Sequence, residues 1–224
     1  MKSESGLINF IQNYPHPATL KEADTGKYII ANCCLAQEAG IPNYEDITGL
    51  TVRDLPFAQS DGGLQQAQRL TELDYLACEK KSLASDRFVF FESGNGEVQF
   101  DEVVKLPVLG HSGTILGVVT YQRNLTSTLP LIQVYDLYRR FYAAPEAIKR
   151  VLAYLGITQC FTTQPTEAPF RILLAKTQSY SNKEIGRLLG ISHRTVDYQF
   201  SALRNRVVDG DVQRVLTGIK RRDA

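Results

Sequence analysis

Between Ser192 and Val207 the apolar residues recur as Val196, Phe200, Leu203 and Val207, at spacings of four, three and four. At about 100° per residue, this is one narrow face of a helix. With that face turned inward, Arg194, Tyr198, Ser201 and Asn205 fall on the opposite side, with Thr195 and Asp197 at its edges. A guanidinium, a phenol, a hydroxyl and an amide then point outward. Such groups hydrogen-bond base edges when a single helix enters a major groove, and the positive end of the helix dipole favours nearby phosphates. The candidate contact residues are Lys183, His193, Arg194, Thr195, Asp197, Tyr198, Ser201, Arg204 and Asn205.

The elements that must position them lie just upstream. In Ser181-Asn182-Lys183-Glu184 a hydroxyl and a carboxylate stand three residues apart, as in a capping box that starts a helix at Ser181. Ile185, Leu188 and Leu189 give that helix an apolar stripe, and Gly190 supplies the left-handed residue that ends it. Ser192 is a good N-cap for the next helix. Two short helices joined by the turn Gly190-Ile191-Ser192 make a helix-turn-helix. The same pattern also suits a small three-helix packing unit or a helix pair that binds protein.

The run Tyr180-Ser181-Asn182-Lys183-Glu184-Ile185-Gly186-Arg187-Leu188-Leu189-Gly190-Ile191-Ser192-His193-Arg194-Thr195-Val196 resembles the LuxR/GerE-type helix-turn-helix of bacterial transcription factors. The resemblance covers roughly Thr166 to Val207, with Glu167 to Ala175 as the first helix. It implies that Lys183 touches phosphate while Asp197, Tyr198 and Ser201 reach base edges. Asp197 and Gln199 depart from the basic residue and the His usual in the family, and an acid there is repelled by the DNA backbone. Pro169 is tolerable only in a first turn, which puts the start of that helix near Thr166 or Glu167.

Composition agrees with a protein that folds. The 224 residues are 43% hydrophobic and 22% charged, enough apolar content for one or two cores. Residues 165–224 carry eleven Lys/Arg against six Asp/Glu, while residues 1–164 carry 14 against 18. A basic tail behind an acidic body suits a polyanion partner for the tail alone, although uneven scatter would look the same. Tyr28 to Ala36, the longest nearly apolar stretch, contains Asn32 and falls short of the roughly 20 residues that span a bilayer. No membrane partner is expected. Met1 to Tyr14 fits neither a secretory signal nor a transit peptide, so a cytoplasmic protein is expected. Cys33, Cys34, Cys78 and Cys160 lack metal-ligand spacing and read as reduced thiols, and no metal site is expected. No Ser/His/Asp elbow, Gly-rich phosphate loop or paired carboxylates appear, so an enzyme is not expected and no catalytic residues are assigned.

The first 126 residues read as α+β. A short helix over 6–13 precedes strands at 18–21 and 27–32, then helical spacing at 33–39 and 44–47 and the longest helical pattern at 63–80. On that last helix Leu64, Ala67, Leu70 and Leu73/Asp74 form the stripe. The period then changes to two over 87–92, 98–109 and 114–123, separated by the turns Ser93-Gly94-Asn95-Gly96 and Gly110-His111-Ser112-Gly113.

This order resembles a PAS domain. The residues that carry it are Phe10 to Pro17, Asn32, Gly49 with Asp54-Leu55, Gly94-Asn95-Gly96-Glu97, and Gly113 to Thr120 running to Asn124-Leu125-Thr126. Asn124 stands where Asp is usual, which is expected to weaken a local cap. The resemblance implies signal sensing inside the curved sheet or dimerisation. Haem is disfavoured, since the long helix has no His and His16, His111 and His193 lie elsewhere. Light-sensing flavin is disfavoured too, because Cys33 and Cys34 follow the second strand in Asn-Cys-Cys-Leu-Ala-Gln. These two cysteines are either redox sensors or simply buried. The cofactor is unknown. A small-molecule pocket lined by Phe88, Phe90, Val103 and Val118 is one expectation, and ordinary core packing of the same four is the other. The tryptophan-containing pocket of acyl-homoserine-lactone receptors is excluded, because the chain has no Trp.

The expected architecture is therefore an N-terminal PAS-like antiparallel sheet with short helices over 1–126, a helical linker over 127–160, and an all-α helix-turn-helix domain over 161–224. Linker residues Leu131, Tyr135, Tyr138 and Phe141, then Ile148, Leu152 and Leu155, form stripes that bury either against a partner chain or on the PAS sheet. Val212, Val215, Leu216 and Ile219 stand where the family has its dimer-forming helix, followed by the cations Lys220-Arg221-Arg222. The expectation is a DNA-binding transcription regulator acting as a homodimer on double-stranded DNA, with RNA polymerase as a further candidate partner. The alternative is an adaptor whose helix pair contacts other proteins.

Overall fold

The computed structural model describes residues 2–60, 62–91, 95–178 and 180–220, with the backbone alone at 2–4 and 220. Part of the turn expected at 93–96, and the side chains of Lys220, Arg221 and Arg222, lie outside what is described. The chain forms two compact units, Met1–Thr126 and Ser127–Ala224.

The first unit is α+β, in the expected PAS-like order. Helix α1 (Lys2–Asn13) leads into β1 (Ala18–Glu22), β2 (Tyr28–Ala31) and α2 (Cys33–Ala39). Short 3-10 turns at Tyr44–Ile47, Val52–Asp54 and Pro56–Gln59 precede α3 (Gly63–Lys80), and β3 (Ala84–Phe91), β4 (Val98–Leu109) and β5 (Ile115–Asn124) close the sheet. All pairings are antiparallel, in the order β2-β1-β5-β4-β3. The alternation of the strands gives the sheet two different faces. Val103, Phe88 and Phe90 pack with Ala67, Leu70, Leu73 and Ala77 of α3, while Ala18 and Val119 pack with Ile11 of α1.

Buried Asn32 joins three of these elements. Its Oδ1 accepts from Ala18 N and Leu35 N, both at 3.1 Å, and its Nδ2 donates to Tyr14 O at 3.0 Å and His16 O at 2.7 Å. One side chain thus satisfies the end of α1, the start of β1 and the N-terminus of α2, using its whole hydrogen-bonding capacity.

Several expectations are corrected here. Leu64 is 62% exposed rather than inward. The first turn of α3 is seated through Gly63, where a Cβ would stand 2.0 Å from Phe57 O, and this close approach turns the next residue out. Strand β3 begins at Ala84 rather than Arg87. Ser85, Asp86 and Arg87 are all exposed, so alternation is hidden there although Ala84, Ser85 and Asp86 pair with Lys105, Val104 and Val103. Asn124 keeps the cap it was expected to weaken: its Oδ1 accepts from Thr126 N at 2.9 Å, and Thr126 Oγ1 accepts from Phe100 N at 2.8 Å.

The second unit is helical: α4 (Leu131–Tyr138), α5 (Ala144–Tyr154), α6 (Glu167–Thr177), α7 (Asn182–Leu189), α8 (His193–Arg204) and α9 (Val212–Lys220). The stripes expected of a linker are packed inside this unit, except at Phe141, which is 45% exposed at the end of the turn after α4. Tyr135 of α4 meets the Phe170 ring edge-on at 5.3 Å, and Asp136 and Arg171 pair at 2.6 Å, so α4 is held on α6. Ile148, Val151 and Leu152 of α5 are buried. The stripe Val212, Val215, Leu216 and Ile219 is buried as well, in a helix that packs on α6, leaving Gln213, Arg214 and Thr217 outward. Among the described residues, no helix is long and apolar enough to cross a membrane.

Candidate nucleic-acid interface

The helix pair is built by local hydrogen bonding at each end. Ser181 N donates to Glu184 Oε2 at 2.7 Å, and Glu184 N donates to Ser181 Oγ at 3.3 Å, closing the capping box at the start of α7. The Ser181 hydroxyl and N–H hold the Glu184 carboxyl below the usual carboxylate range. Gly190 ends α7 at φ +67°, the left-handed conformation that glycine adopts without steric cost. Gly186 allows the turn to close, because Ile191 N donates to its carbonyl at 2.9 Å and a Cβ there would stand 2.7 Å from Ile191 O. Ser192 then caps α8 by accepting from Thr195 N at 3.0 Å.

Packing sets which side of α8 looks outward. Ile172 and Ala175 of α6, Ile185 of α7 and Val196 of α8 are fully buried together, with Leu189, Ile191 and Phe200 half-buried against them. Leu203 is buried too. Lys176 Nζ lies 5.6 Å from the Phe200 ring centroid and covers its outer side. Lys183, His193, Arg194, Thr195, Asp197, Tyr198, Ser201, Arg204 and Asn205 are all exposed, Tyr198 to 72%. Among the described residues, no ion pair engages Lys183, Arg194 or Arg204. Two of the nine are already committed within the fold: the Thr195 hydroxyl lies 2.8 Å from Ser192 Oγ, and Asp197 Oδ1 accepts from Asn182 Nδ2. The Asn182 contact was missed in the sequence because it joins residues on two different helices.

A second candidate site lies in the N-terminal unit, and it is not where the apolar residues suggested. Phe88 and Phe90 stack at 6.0 Å and, with Val103, fill the core beneath α3. Of the four expected lining residues only Val118 borders the cavity of about 420 Å³, which is shared by Lys21, Thr51, Arg53, Thr71, Asp74, Tyr75 and Cys78. Its inner end is charged. Asp74 lies 2.8 Å from Lys21 Nζ and 2.7 Å from Lys105 Nζ, and Lys105 Nζ donates to Thr120 Oγ1 at 3.0 Å. Both lysines are buried.

Two ammoniums around one carboxylate leave a surplus positive charge away from water. Burial, and then Lys21, push the Lys105 amine down to about 7. The Asp74 carboxyl is driven up by burial, yet Lys105 and Lys21 hold it below its ordinary value. On β4, burial alone raises Asp101 to about 7. The sequence signal for this cluster was a charge on an otherwise apolar stripe of the long helix. Cys33 is exposed rather than buried, and the Cys34 thiol is pushed up by burial and by Cys33, away from the thiolate a reactive cysteine needs.

No family model matches the chain, and no curated protein matches it. Two solved structures share its fold over nearly its whole length. One is VqmA of Vibrio cholera, solved as a complex with ligand and DNA, at 19% identity and a TM-score of 0.57, covering 96% of this chain and 88% of that one. The other is a phage VqmA in complex with DPO, at 20% identity and a TM-score of 0.54, covering 98% and 89%. At this identity the likeness concerns the fold.

Proposed function

We propose that this chain is a sequence-specific DNA-binding transcription regulator whose N-terminal unit receives a small-molecule signal. The observation that carries the reading is α8: Arg194, Tyr198, Ser201 and Asn205 share one exposed face while Val196 and Leu203 anchor the other in the core. Lys183, Arg194 and Arg204, which make no ion pair among the described residues, supply the cations that displace counterions from a duplex. Residues 1–126 are assigned to the signal and the helical unit to DNA, with the segment over 127–160 acting as part of the latter. That a VqmA structure holds both a ligand and DNA supports a chain with both kinds of partner. A homodimer follows from the half-site geometry of helix-turn-helix proteins. In the N-terminal unit, the cavity bordered by Lys21, Asp74 and Val118 is the place for a ligand.

The test is a salt titration of duplex binding by the full-length chain. Log affinity falls linearly with log salt, and Lys183→Ala reduces the slope by about one while weakening all duplexes alike. Tyr198→Ala and Ser201→Ala instead alter which sequence is preferred. Binding that is indifferent to salt, or equal losses for all three variants on every duplex, would reject the reading in favour of a protein-binding adaptor.

A further inference from the structure

Asp197 places a carboxylate where DNA should repel it. It is exposed in the second turn of α8, three residues after Arg194 and one before Tyr198, on the helix that the reading above sets against phosphates. It pairs with none of the exposed cations Lys183, Arg194 or Arg204. Instead, Asn182 Nδ2 donates to its Oδ1. Asn182 is the first residue of α7, so the carboxylate is drawn to the positive end of that helix, where the dipole favours an anion. The Asn182 Oδ1 is buried without a hydrogen-bond partner, which leaves the bond to Asp197 as the amide's polar engagement among the described residues. The neighbouring Val196 is fully buried against Ile172, Ala175 and Ile185. The backbone at this point of α8 is thus held from inside by packing and at the rim by the Asn182–Asp197 bond.

We infer that Asp197 is a positioning residue and not a base reader: with Asn182 it braces α7 against α8, turns its charge away from DNA, and leaves Lys183 and Arg194 unneutralised. This rests on the DNA-binding reading and reassigns one of the residues that the family resemblance placed at base edges. A lysine or arginine partner would have secured the acid equally well, but would have removed a cation from the DNA side. A neutral amide secures it at no such loss.

The probes are a duplex recovered from a random pool by the wild-type full-length chain and a scrambled duplex of equal length. Asp197→Asn, which keeps an acceptor and loses the charge, binds at least as tightly as wild type. Asp197→Ala retains the preferred base at every position of the site. Asn182→Ala releases the carboxylate toward phosphate and weakens binding to both duplexes by about tenfold, and adding Asp197→Ala recovers most of that loss. The two substitutions are also non-additive in thermal unfolding, a readout that needs no DNA. A changed base preference for Asp197→Ala, lost binding for Asp197→Asn, or simple additivity in binding would overturn the inference. Failure of the underlying reading looks different: wild-type binding then shows no salt dependence while unfolding stays non-additive. That result leaves only an intrachain tie and removes the role at DNA.

Discussion

The two units bury different chemistry. The first unit encloses Lys21 and Lys105 around Asp74 of α3, whereas the core that carries α8 is made of Ile172, Ala175, Ile185 and Val196, with Lys183, Arg194 and Arg204 left in water. A buried charge cluster is poor value as a stabiliser, because desolvation offsets most of the attraction within it. Its presence beside a cavity is what the proposed ligand role rests on. In the helical unit the roles are separated. Apolar packing holds the helices, and charge is kept outside, as the proposed DNA-binding role requires.

The largest effect expected from breaking this contrast is at Asp74. Asp74→Ala strands the buried Lys21 and Lys105 amines without their acid and destabilises the first unit by roughly 3–5 kcal/mol. Loss of amide-exchange protection in β4 and β5, with α6 to α8 retained, would show it. A change of similar kind but apolar origin is Ile185→Ala, which empties a fully buried site and costs about 2–4 kcal/mol in the helical unit. It should abolish duplex binding at temperatures where β4 and β5 remain protected.

The effect that is smallest per unit of change is the pH response, and it sharpens the comparison most. Asp101 is raised by burial from 3.8 to about 7, so between those values the folded unit holds a proton that the unfolded chain has lost. Stability of the first unit then falls as pH rises through that window. Lys105 is lowered from 10.5 to about 7, so above neutrality the unfolded chain binds the extra proton and stability rises with pH. The expected outcome is a minimum near pH 7, with slopes of up to about 1.4 kcal/mol per pH unit where one proton separates the folded and unfolded chains. Asp101→Asn removes the acid limb and Lys105→Met the alkaline one, as followed by denaturant midpoints for the first unit. The buried cluster around Val196 is apolar, and unfolding of the helical unit should vary little around neutrality.

Much of the fold was legible because short-range rules decide it. The bounds of α2, α3 and β4 coincide with the periodic stretches at 33–39, 63–80 and 98–109. Asn32, Ser181, Gly190 and Ser192 announce helix ends through contacts within a few residues. Leu64 and Ala84 were misplaced because burial depends on what lies opposite, namely Phe57 near the first and Lys105 beside the second. Tyr135 was recognised as part of a stripe, but the pattern could not name Phe170 of α6 as the surface it covers.

The amino-acid order alone determined the two helices around Gly190, their caps, and the outward set from Arg194 to Asn205, since an inward stripe at helical spacing dictates its own opposite face. Only the tertiary structure decided that Asp197 meets Asn182, that Lys21 and Lys105 converge on Asp74, and that the cavity lies at their side rather than beside Phe88. Each of those pairings joins residues on different elements. Their energy depends on distance and burial, which exist only once the chain has packed.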